Sequence, residues 1–126
     1  MTIAARLMLM TASEIQDLFD SLDDPDYEGM PQGQFSGVAW SHDMKWVRHV
    51  NRAWTGKVFT DDKVVNIIFG RKMIEGIVQK SAGTVGIFYP QLKLVDLLRP
   101  LDDGSLWLGK MNLNKKVLWF VLEKEL

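Results

Sequence analysis

From Gly56 to Lys124, runs rich in β-branched and aromatic residues alternate with short turn-rich breaks about every ten positions. The runs are Gly56–Thr60, Lys63–Phe69, Met73–Lys80, Thr84–Tyr89, Lys93–Arg99, Ser105–Met111 and Lys116–Lys124, with no helical stretch between them. Breaks such as Asp61-Asp62, Pro90-Gln91 and Asp102-Asp103-Gly104 have turn chemistry. Connections this short join antiparallel neighbours, so order in space follows order in sequence. With an earlier run at Gly33–Trp40 the pattern predicts a mainly β fold, an eight-stranded antiparallel up-and-down barrel. About eight strands close into a barrel whose interior is filled by side chains or holds one small ligand. A curled open sheet packed on helices is the alternative.

Two helices are expected. Thr11-x-x-Glu14 and Ser13-x-x-Gln16 both fit a capping box. Ile15, Leu18, Phe19 and Leu22 then form one apolar stripe, so Thr11–Leu22 reads as a helix that Pro25 closes off. Ser41 suits the N-cap of a second helix, His42–Arg52, between strands 1 and 2. At 100° per residue it would place Trp46, Val47, Val50, Ala53 and Trp54 on one face. Lys45, Arg48, His49 and Arg52 would form a basic outer face. Gly33 and Gly37, flanking Phe35, suggest a bend or a close backbone approach. Residues 1–10 read as a weakly ordered lead-in. Their apolar run Leu7-Met8-Leu9-Met10 is too short for a signal peptide, and an acidic helix follows at once.

A chain of 126 residues favours one domain, spanning 1–126. A net charge of −1 argues against nucleic acid as the partner. The absence of cysteine excludes disulfides and suits a cytoplasmic protein. No run approaches the ~20 apolar residues of a membrane span. Val64–Phe69 and Val117–Leu122 are apolar on both faces, whereas a strand facing water alternates. The N-terminal helix, a second copy of the chain, or both should cover the outer wall, and a homo-oligomer, a dimer, is expected on that ground.

A strand, a helix and a seven-strand meander resemble the calycin-type barrels, the lipocalins and fatty-acid-binding proteins. The chain is most similar to small uncharacterised bacterial lipocalin-like domains. The residues that carry the resemblance are Gly33-Gln34-Phe35-Ser36-Gly37, Trp54-x-Gly56-Lys57-x-Phe59, Asn66, Arg99-x-Leu101-Asp102-Asp103 and Leu108-Gly109-x-Met111. The lipocalin Gly-x-Trp signature is replaced by Gly37-Val38-Ala39-Trp40. The resemblance implies a barrel and supplies no established activity.

The candidate sites follow from residue type. Lys45, Arg48, His49 and Arg52 could form a lid or portal that steers an acidic ligand or touches an anionic membrane; a solvated helix face is the plainer reading. Among polar residues on apolar strands, Asn66, Tyr89 and Arg99 are candidates to fix a ligand head group, with Trp107 as an aromatic wall. Glu75, Asp96 and Lys110 share that setting. His42 and His49 lie two helical turns apart, about 10 Å, too far to share a metal. No metal, no cofactor and no catalytic constellation is expected. The expected function is non-catalytic binding of a small hydrophobic or amphipathic, fatty-acid-like ligand. One alternative is a filled-core interaction domain that homo-oligomerises through its apolar outer face. Another is an enzyme using Glu75 or Asp96 as an interior acid or base.

Overall fold

A computed structural model describes residues 2–126. Eight antiparallel strands close into a barrel in sequence order, as the meander requires. They are β1 (Gly33–Trp40), β2 (Trp54–Thr60), β3 (Lys63–Ile68), β4 (Arg71–Ser81), β5 (Thr84–Tyr89), β6 (Leu94–Pro100), β7 (Leu106–Leu113) and β8 (Lys116–Lys124). Two helices precede the barrel, α1 (Ile3–Met8) and α2 (Ala12–Ser21), and a 3-10 helix, η1 (Lys45–Arg52), joins β1 to β2.

Around β8 the outer wall is covered by α1 and α2. Along β8, Phe120 and Leu122 join the interior core, while Trp119 and Val121 pack outside with Leu7, Ile15 and Phe19 of α1 and α2. That is why this strand is apolar on both faces. Thr11 caps α2 with the full capping box, its hydroxyl taking the Glu14 N–H and the Glu14 carboxylate taking the Thr11 N–H. The expected lead-in is helical over Ile3–Met8, because Leu7 has a hydrophobic surface to bury itself against.

The second predicted helix differs in kind. It begins at Lys45 rather than His42, since the Ser41 hydroxyl accepts the N–H groups of Asp43 and Met44 and donates to the Val117 carbonyl, folding the first residues into a bend. With about three residues per turn, Met44, Val47 and Val50 line up and face the barrel interior. Trp46 falls off that face and is 57% exposed. The 100° projection misplaced it because η1 turns by about 120° per residue.

The closure is weakest beside η1. β1 pairs with β2 only from Gly33 to Ser36, while its far half, up to Trp40, pairs with β8 alone. Asn51 of η1 takes over the missing ladder. Its Oδ1 accepts the Ala39 N–H at 2.8 Å, and its Nδ2 donates to the Ala39 carbonyl at 2.9 Å. Asn51→Ala removes both bonds and is expected to cost about 1–3 kcal/mol. Amide exchange at Ala39 should accelerate more than at Phe35, which keeps its strand partners on both sides.

Candidate functional site

The barrel has two unlike ends. The interior at the end opposite η1 is filled by packed rings, with Phe35 against Phe59 and Tyr27 against Trp107, and an open, more polar cleft runs beside Tyr27, Gln32 and Lys124. The η1 end holds a cavity of about 200 Å³. Its walls include Ala39 of β1, Val50 of η1, Ile68 of β3 and Phe120 of β8, and Leu92, itself half exposed, stands at its edge.

One side of this cavity carries a buried polar cluster. Inward positions on β2, β3, β5 and β6 are Lys57, Asn66, Tyr89 and Asp96, all at most 6% exposed. The Lys57 ammonium lies 3.2 Å from Asp96 Oδ2, donates to Asn66 Oδ1 at 2.7 Å and donates to the Tyr89 hydroxyl. The Tyr89 hydroxyl donates in turn to Asp96 Oδ2 at 2.9 Å, and Trp54 Nε1 donates to Asn66 Oδ1 at 2.9 Å. The rings of Tyr89, Trp54 and Phe120 stand 5.0–5.4 Å from Lys57 Nζ. Burial pushes the lysine below its ordinary pKa, against the pull of Asp96. Burial, reinforced by the same carboxylate, drives the Tyr89 phenol far up, so it stays neutral.

The cluster is nearly self-sufficient. All three ammonium donors have acceptors, and the pair is neutral as a whole. Asp96 Oδ1 is the exception, buried with no hydrogen-bond donor from the protein. An orphaned carboxylate oxygen at a cavity wall is an acceptor with capacity to spare.

Backbone geometry supports the same place. Asn66 Nδ2 donates to the Ile74 carbonyl at 3.1 Å. Ile74 sits where the β3–β4 register slips, with a φ of 58°. A β-branched residue in the left-handed region is strained. Such bulges recur beside functional sites, and this one puts Ile74 in the cavity wall. Gly37 gives the Trp54 indole its seat, since a Cβ there would lie 2.3 Å from the ring. The close approach expected at Gly37 is thus an aromatic one.

The residues named from sequence separate into groups. Asn66 and Tyr89 meet in the cluster, and Asp96 joins them inside. Arg99 points outward, donating to the Phe19 carbonyl and to Thr84 Oγ1 and stacking 4.3 Å from the Phe19 ring, so it clamps α2 to the barrel. Trp107 is interior but at the filled end, donating from Nε1 to the Gly104 carbonyl. Glu75 is exposed, and Lys110 reaches Gln16 of α2. Lys45, Arg48, His49 and Arg52 are all exposed on η1, at the cavity end. His42 instead bonds the Met10 carbonyl through Nε2.

Lys57 enters the sequence reading only within the motif Trp54-x-Gly56-Lys57-x-Phe59 and is not among its candidate site residues. It lies between Gly56 and Val58 and alternates with inward Phe59, which was the available signal. A lysine at an inward strand position is either an edge residue or a paired buried one.

No family model, curated protein or solved structure matches this chain. The closed eight-stranded barrel is compatible with the calycin resemblance. Among the described residues no helix is long and apolar enough to cross a membrane, and no group of three or more His, Cys, Asp or Glu stands ready for a metal ion.

Proposed function

We propose that the barrel binds a small hydrophobic or amphipathic molecule at its η1 end, in the manner of a distant lipocalin-like carrier. The observation that carries this reading is the apolar cavity of about 200 Å³ beside the Lys57–Asp96 pair. An apolar cavity of about 150 Å³ holds a benzene in another protein, so the ligand is of one-ring or short-chain size. Each methylene it buries contributes about 0.8 kcal/mol.

The head group follows from the charge balance. A carboxylate would compete with Asp96 for Lys57 and leave two anions on one cation, at a low-dielectric site where like charges are costly. A hydroxyl would instead donate to Asp96 Oδ1. Titration calorimetry with 1-octanol and octanoate separates the two: saturable octanol binding, at least tenfold tighter than octanoate, is the expected result. Failure of both to bind would retire the ligand-carrier reading.

A second reading has its own observation. Ile77, Phe88 and Val95 are 45–46% exposed. They are direct cross-strand partners on β4, β5 and β6, on the wall α1 and α2 leave open. This row supports pairing of two barrels through their outer faces. Sedimentation should then show a dimer that Phe88→Lys converts to monomer; a monomer at micromolar concentration would dismiss it.

A further inference from the structure

The cavity end of the barrel is also its positive pole. Three cations stand on η1, namely Lys45, Arg48 and Arg52. The turns and strand ends that share this end add Arg71 and Lys72 at the start of β4, Lys93 before β6, Lys115 between β7 and β8, and Lys116 at the start of β8. All are exposed, and none forms an ion pair among the described residues. The carboxylate among them, Asp43, is engaged with the Val117 N–H. The far end is acidic, with Asp61 and Asp62 on one turn, Asp102 and Asp103 on another, and Asp23, Asp24 and Asp26 ahead of β1. The net charge of −1 therefore hides two opposed poles.

Large apolar side chains stand out of the same positive end. Phe69 is 76% exposed, Trp46 57% and Leu92 47%. Phe69 is the most telling, because it opposes the local chain preference. It has a φ of 50° and precedes Gly70 at 75°, a two-residue turn with consecutive positive φ. Such turns favour Asn-Gly, and a bulky residue in the left-handed region is strained. Phe69 accepts that strain without burying its ring.

We propose that the η1 end docks on an anionic lipid bilayer, with Phe69, Trp46 and Leu92 entering the interface and the surrounding cations meeting the head groups. Aromatic rings suit the head-group level, and a basic surface with protruding apolar residues binds by apolar burial plus attraction to anionic lipid. This docking stands whether or not the cavity carries a ligand. A nucleic acid would meet the cations and leave the apolar tips unused, so the bilayer fits both features.

The test is co-sedimentation with phosphatidylcholine vesicles, with and without phosphatidylserine. Binding is expected only to the phosphatidylserine vesicles, and it should weaken with salt. Each cation near such a surface is worth about 1 kcal/mol, or about fivefold in affinity. Lys115→Ala with Lys116→Ala should then weaken binding by roughly 25-fold. Phe69→Asn should weaken it at least tenfold and raise the melting temperature by a few degrees, since it relaxes the turn. No sedimentation with phosphatidylserine vesicles at low salt would overturn the proposal, and so would equal binding to both vesicle types. Unchanged binding by Phe69→Asn, or binding of an RNA by a protein that ignores vesicles, would overturn it as well.

Discussion

Asp96→Ala is expected to destabilise the barrel by about 3–5 kcal/mol, because it leaves an ammonium buried without its countercharge. Lys57 is 3% exposed, and Asp96 is its one ion-pair partner among the described residues. The variant also strips the acceptor from Tyr89, whose hydroxyl donates to Asp96 Oδ2. Replacing both charges with apolar side chains, Lys57→Met with Asp96→Leu, should cost much less than Asp96→Ala alone, since a buried pair often contributes little net stability. Urea unfolding of the two singles and the double gives the coupling directly. A double variant as unstable as Asp96→Ala would mean the pair is not the coupled unit described. If the fold survives without the pair, the cluster is kept for what it does at the cavity. The double variant should then lose its preference for octanol over octanoate.

Gly56→Ala is the second large effect. A Cβ at Gly56 would lie 2.0 Å from the Phe35 carbonyl oxygen, a backbone atom that cannot swing aside. Gly56 pairs with Ser36 at the last rung between β1 and β2, beside the register shift after Trp54. Relieving the clash means parting the strands where closure is already short, at the top of the usual overpacking range, about 3 kcal/mol. Gly86→Ala is the contrast. Its nearest neighbour would be the Gln79 carbonyl at 3.7 Å. That change should be neutral, or stabilise by up to about 1 kcal/mol through the unfolded chain. Equal thermal losses for the two variants would refute the close-approach account.

The barrel was legible in the sequence because local turn chemistry and short connections leave one strand order. β1, β5 and β8 have the bounds read from sequence: Gly33–Trp40, Thr84–Tyr89 and Lys116–Lys124. What could not be read was which strand face points inward. Trp119 and Phe120 are adjacent and similar, yet one lies under α2 and the other in the core, a choice made by the covering helices. Arg99 illustrates the consequence. Its type suited a carboxylate ligand, but its parity put it outside against Phe19, while Asp96, three residues earlier, went in. The Lys57–Asp96 pair joins β2 to β6, and no local pattern announces a contact across the barrel. Trp46 is misplaced for a different reason, the tighter turn of a 3-10 helix, which leaves it exposed beside Phe69 and Leu92 at the positive end.

The central claim is that the η1 end holds a ligand site and not merely imperfect packing. The indole N–H of Trp54 reports on it most directly, since Trp54 lines the cavity and bonds Asn66 of the cluster. In an NMR titration with 1-octanol, that resonance should move saturably while the Trp107 indole at the filled end stays still. A Trp54 signal unmoved at high octanol, or shifts confined to the exposed row of Ile77, Phe88 and Val95, would contradict the claim.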